Sequence, residues 1–171
     1  SAALVERGRP VVAAILNPST DELFTAVRGG GLFLNGALVT FSPAHKIDPV
    51  IMVNAWELRS DRWSTLAETG RCRPIYSIAN ALALVAAGRI QATVTIEPEN
   101  EWDLAAGVLL IEESGGTVCD MDGKPFVFNQ PIPRFPGVIA VAATADRELR
   151  AKLQTHAEHA GSRSQPKPAA P

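Results

Sequence analysis

The residues best placed to do chemistry lie in one run, Glu101-Trp102-Asp103-Leu104-Ala105-Ala106-Gly107. Asp103 stands where a helical pattern begins: Leu104, Val108, Leu109 and Ile111 recur behind it at helical spacing, and Gly115-Gly116 ends the run. A carboxylate on so rigid a perch is a hard oxygen ligand suited to Mg2+, and the Trp102 indole would fix it from one side. Ala105, Ala106 and Gly107 are small enough to leave the helix mouth open, where N–H groups and the helix dipole favour a phosphate. Ala105 is therefore expected against the substrate. A plainer reading competes with this one, because Asp at a helix start commonly serves only as an N-cap for backbone N–H groups. One Asp cannot hold a catalytic Mg2+, which needs further carboxylates, water and phosphate oxygens. Among the other acids, Asp21, Asp48, Asp61, Asp120 and Asp122 fall in turns or chain reversals, and none forms a paired-carboxylate motif. Read from residues alone, the site is unfinished.

The elements that must position this run follow from pattern. Ala2 to Val5 and Pro10 to Leu16 read as strands about a tight turn, and Asn17 to Asp21 is a turn cluster. Glu22 to Val27 is a strand, Arg28 to Gly31 a glycine turn, and Asn35-Gly36 a hairpin turn of the primed type. This first quarter is an antiparallel meander. From Pro49 the pattern changes to strand candidates at 50–53, 75–78, 91–96 and 138–142. Helical spacing covers 60–68, 79–86 with Ser77 as N-cap, and 146–156, while Glu97 to Glu101 reads as an acidic turn. Asp122-Gly123 predicts a hairpin between 117–119 and 125–128. Three segments are expected: 1–48 as antiparallel strands completing an N-terminal sheet, 49–157 as a C-terminal α/β domain, and 158–171 as a disordered Pro-, Ser- and Ala-rich tail.

Composition excludes several classes. The 171 residues carry a net charge of −2 without a basic stripe, so no nucleic-acid partner is expected. No apolar run approaches the ~20 residues that cross a bilayer, and no secretory signal opens the chain, so a cytoplasmic protein without a membrane partner is expected. Cys72 and Cys119 are too few for a disulfide framework and read as buried thiols.

Several motifs together carry a resemblance. Trp102 to Gly107, followed by Glu113-Ser114-Gly115-Gly116, resembles the C-terminal signature of the inositol monophosphatase family. Asn17-Pro18, Asp21 to Ala26, Arg28 to Gly31 and Leu34-Asn35-Gly36 resemble its central hairpins, and Ser77 to Gly88 its substrate-side helix. The resemblance runs from Ser1 to about Thr155 with the motifs in order. It implies an α/β (α+β) fold, the layered αβαβα sandwich of the sugar-phosphatase type, here incomplete at its N-terminal side. It also implies hydrolysis of a small phosphorylated metabolite, a polyol or sugar phosphate, by water activated at a site of two or more Mg2+ ions. Asp103 matches the family's last metal-binding aspartate and is the catalytic and metal residue expected here. Arg73 and Ser77 match substrate-side positions. The family's substrate-contacting acid ahead of Trp-Asp falls among Glu97, Glu99 and Glu101, and Glu97 is taken. Tyr76, Ile78 and Ala81 depart from the family's pattern around the substrate loop, which leaves the substrate open.

The family's remaining metal ligands belong to a Glu-containing helix and an Asp-Pro-x-Asp-Gly-Thr loop, and neither occurs in these residues. The chain is accordingly expected to be a catalytically incomplete fragment, and to associate through uncovered apolar surface. The resemblance also implies a homodimer. Two alternatives stand beside this reading: a 3′(2′),5′-bisphosphate nucleotidase or histidinol-phosphatase on the same scaffold, and a non-catalytic dimerisation or regulatory binding module.

Overall fold

The computed structural model describes residues 1–41, 50–59 and 72–145, together with 149, 151 and 153. The helix expected over 60–68 and the tail expected over 158–171 lie outside the described residues, as do Asp48 and Asp61.

Strands β1 (Ala2–Glu6), β2 (Arg9–Asn17), β3 (Glu22–Val27), β4 (Leu32–Leu34) and β5 (Ala37–Leu38) form one antiparallel meander in sequence order. Its turns are set by residues that tolerate a left-handed backbone. Asn35 and Gly36 have φ of 49° and 80°, the primed hairpin expected from their types. Strand alternation divides the sheet into two faces. Ala13, Ile15, Phe24, Ala26 and Leu32 point into the core. The opposite face carries aligned apolar rows, since Leu4 pairs with Val12, Val12 with Val27, and Leu16 with Leu23, and all five are exposed.

The second sheet runs in the order β10-β12-β8-β6-β7. Its members are β6 (Ile51–Asn54), β7 (Cys72–Ile75), β8 (Ala92–Thr95), β10 (Thr117–Cys119) and β12 (Val138–Val141). β6 lies parallel to both β7 and β8, while β12 is antiparallel to β8 and β10. β8 and β12 are buried along their whole length, as central strands covered on both faces must be. A short pair, β9 (Glu99–Asn100) with β11 (Arg134–Phe135), stands apart.

Helices α1 (Ile78–Ala86) and α2 (Glu101–Glu113) pack against one another between the two sheets. They meet closely at Gly107, where a Cβ would lie 2.5 Å from the Leu82 Cβ. Phe24, Leu82, Leu104, Leu109 and Leu110 are fully buried there, each worth about 1.5–3 kcal/mol of apolar transfer. Polar ties hold the meander to the far ends of both helices. Glu113 accepts hydrogen bonds from Gly29 N and Gly31 N at 2.8 Å each, Glu112 pairs with Arg28, and Arg89 pairs with Glu22. Leu149 and the buried Leu153 pack on the other face of the second sheet. The architecture is α+β, with mixed sheets and helices in layers.

Three expectations need correction. Residues 125–128 do not return along β10, because Phe126 and Phe128 bury themselves in a T-shaped cluster with Phe135, at centroid distances of 4.7 and 5.5 Å. β12, apolar on both faces, takes the ladder instead. The acidic turn at 97–101 contains β9. Cys72 and Cys119 are free thiols but only half-buried.

Candidate active site

β6, β7 and β8 are parallel, so their carboxyl ends open on the same side of the sheet, where open α/β sheets bind ligands. A cavity of about 820 Å³ lies there. After β6 the wall is built by Asn54, Ala55, Trp56 and Arg59, and after β7 by Tyr76, Ser77 and the start of α1. The segment beyond β8 contributes Glu99, and the first turn of α2 contributes Asp103.

Asp103 is not the N-cap. α2 begins at Glu101 with Asn100 as its cap residue, which puts Asp103 within the first turn, where an acidic side chain suits the helix dipole. Its Oδ2 accepts from Asn100 Nδ2 at 3.2 Å, and among the described residues it makes no other side-chain hydrogen bond. The carboxylate is thus steadied by a neutral amide and presented to the cavity, not consumed by backbone N–H groups.

Glu99 faces the same cavity, half-buried. Burial, then the neighbouring charges of Asp103 and Glu57, push its carboxyl up to about 7 against the partial relief of Arg134. Beneath the wall lies Glu57, 3% exposed. Its carboxylate accepts from Thr95 Oγ1 and from the N–H groups of Ile96 and Glu97, at 3.1 Å for each backbone donor. This buried carboxylate staples the Trp56–Arg59 turn to the segment carrying Glu99.

Of the residues expected in the site, the cavity brings together Asp103 and Ser77. Ser77 also caps α1, its Oγ accepting from Asn80 N at 3.3 Å. Glu97 is exposed and outside the cavity wall; Glu99, two residues on and paired with Phe135, lines the cavity. Arg73 lies outside the wall on β7, with Nη1 donating to the Cys72 carbonyl at 2.9 Å. Ala105 is buried and lines a separate, smaller cavity with Ser1 and Phe128. Trp102 is largely exposed and lines that smaller cavity as well, so it does not clamp Asp103. The α2 mouth is partly closed, because Glu101 N donates to the Pro133 carbonyl at 3.1 Å. α1, by contrast, directs its first residues into the main cavity.

Asn54, Trp56, Glu57 and Arg59 were missed by sequence reasoning. No periodicity or motif marks 54–59, and the only usable signal was their position just after a strand that turns out to be parallel.

The donor set suits Mg2+, a hard cation that takes one or two carboxylates and keeps several waters. Asp103 supplies one carboxylate and Glu99 faces the same cavity, but among the described residues no group of three or more His, Cys, Asp or Glu could hold a metal ion. The set fits as part of a magnesium site and not as the whole of one.

Comparisons with known proteins bear on the family and the fold. Residues 1–162 match the family model described as the inositol monophosphatase family. Inositol-1-monophosphatase of Mesorhizobium japonicum is 39% identical over 132 residues, covering 72% of this chain and 49% of the relative. Inositol monophosphatase 2 of Solanum lycopersicum is 35% identical over 128 residues, covering 69% and 48%. The Nus factor SuhB of Escherichia coli is 36% identical, covering 68% and 47%. The chain thus spans about half the length of these curated relatives. Among solved structures, the Thermotoga maritima IMPase superposes with a TM-score of 0.75 at 24% identity, over 94% of this chain and 61% of that one. The SuhB protein of Bartonella henselae gives 0.68 at 31% identity, over 91% and 62%. Ordered motifs, layered fold, cavity and relatives converge, and the chain belongs to the inositol monophosphatase family.

Proposed function

We propose that the chain is part of a Mg2+-dependent phosphomonoesterase that acts on a small phosphorylated metabolite, with polyol and sugar phosphates as the first candidates. The observation that carries this reading is the Asp103 carboxylate, steadied by Asn100 and presented at a cavity on the carboxyl ends of three parallel strands. Mg2+, when bound, supplies a water nucleophile at neutral pH and neutralises charge on the phosphoryl oxygens. The chain's own residues hold and orient: Asp103 as a ligand, Ser77 and the N-terminal end of α1 toward the phosphate, Glu99 toward the leaving group.

The remaining ligands are proposed to come from polypeptide outside these residues. The chain spans about half the length of its curated relatives, and among the described residues no group of three or more His, Cys, Asp or Glu could hold a metal ion. The chain by itself is then inactive, and the whole protein works as a homodimer in the cytoplasm, in keeping with two unpaired thiols. No helix among the described residues is long and apolar enough to cross a membrane.

The test is phosphate release from a panel of polyol, sugar, nucleoside 3′- and histidinol phosphates with Mg2+ titrated. Activity in the complete protein that is lost in Asp103→Asn supports the reading. Full activity in that variant overturns it. Mg2+-dependent turnover by the 171-residue chain would overturn its incompleteness. A regulatory module is the second reading, favoured by similarity to proteins called Nus factor SuhB. Coding sequence upstream of Ser1 separates the two: an Asp-Pro-x-Asp-Gly-Thr loop supports the enzyme, a start codon the module.

A further inference from the structure

Two large aromatic side chains stand uncovered on the rim of the cavity: Trp56 is 73% exposed and Tyr76 is 89% exposed. Exposed rings of this size cost apolar hydration, and two of them on one cavity rim mark a binding surface. They arise on adjacent parallel strands, since Asn54 pairs with Ile75 and each ring follows within two residues of that pair. Neither sits on a loose loop. The Trp56 N–H donates to Asn54 Oδ1 at 2.9 Å, and the next residue, Glu57, is the buried carboxylate that ties this turn to Thr95, Ile96 and Glu97. Ala55 N donates to the Ile75 carbonyl at 3.3 Å, just before Tyr76. The backbone that carries each ring is thus held in place, and the exposed π-faces are open to a flat partner. Arg59 shares the wall and adds a planar cation that also stacks on rings.

We propose that Trp56 and Tyr76 form a stacking platform for an aromatic heterocycle carried by the leaving group of the phosphomonoester. This rests on the phosphatase reading of the cavity and narrows its substrate class, moving the choice away from a bare polyol. Arg59 adds a contact for a polar or anionic substituent on that group.

The 171-residue chain is titrated by ligand-observed NMR with adenosine, adenosine 3′-monophosphate and inositol 1-phosphate. Adenosine carries no phosphate and therefore reports on the platform alone. The expected result is saturable adenosine binding, weakened about tenfold by Trp56→Ala or Tyr76→Ala, within the range that base–aromatic stacking supplies, and restored by Trp56→Phe or Tyr76→Phe. Both positions are exposed, so these variants fold. Absence of adenosine binding, or binding unchanged in both Ala variants, overturns the proposal, as does inositol 1-phosphate binding tighter than adenosine 3′-monophosphate. If adenosine binds as expected but the complete protein, upstream polypeptide included, releases no phosphate from adenosine 3′-monophosphate with Mg2+, the platform stands and the phosphatase reading fails.

Discussion

Asn100 Nδ2 donates to Asp103 Oδ2 at 3.2 Å across the first turn of α2. Asn100 is the cap residue of that helix, yet its side chain makes no bond to a helix N–H. Its amide is committed to the carboxylate instead, so removing it costs the helix little and the site more. In Asn100→Ala, folding stability should stay within about 0.5 kcal/mol, below the usual cost of a lost cap. Mn2+ affinity should fall severalfold, measured by metal titration beside a thermal melt. A large loss of stability with unchanged metal affinity would show that the contact serves the helix.

Glu99 gives a pH signature. Its carboxyl rises from an ordinary 4.5 to about 7 in the folded chain, chiefly through burial. The folded state therefore binds more protons than the unfolded state between these values, and stability falls as pH rises through this window. Glu99→Gln removes that fall. In metal-free buffer the variant should gain little in Tm at pH 4 and clearly more at pH 8; an equal difference at both would refute the assignment.

Gly107 is a packing constraint. A Cβ there would meet Leu82 Cβ and Cδ1 at 2.5 Å, between two helices with no room to part. Gly107→Ala should therefore destabilise by about 1–3 kcal/mol despite the better helix propensity of Ala. Chemical denaturation measures this directly, and a more stable variant would contradict the packing.

The outward face of the meander carries Leu4, Val12 and Val27 in one row and Leu16 with Leu23 in another. Aligned apolar rows of this extent drive association in water. The chain should elute above its monomer mass at high concentration, and Val12→Lys with Leu23→Lys should shift it toward the monomer. A monomeric parent chain would count against this.

Local chemistry made much of the fold legible. Asn35-Gly36 could only turn one way, and Ser77 followed by an apolar stripe could only open a helix. The ordered motifs likewise pointed to Asp103. What stayed hidden depends on topology. Asn54, Tyr76 and Glu99 meet in one wall because β6, β7 and β8 are parallel, a relation that no spacing in the chain reveals. Glu97 and Glu99 differ in placement because β9 pairs with β11, and two residues of sequence do not foretell that pairing. Residues 125–128 left their hairpin because burying two phenylalanines outweighed a few ladder bonds.

The central claim is that Asp103 forms part of a divalent-cation site opening into the main cavity. Paramagnetic Mn2+ added in small amounts to isotope-labelled chain tests it most directly, because even weak binding broadens nearby amide signals. Broadening should centre on Trp102, Asp103 and Leu104, extend to Glu99, and vanish in Asp103→Asn. Broadening centred on Asp120 and Asp122, or unchanged in the variant, would contradict it.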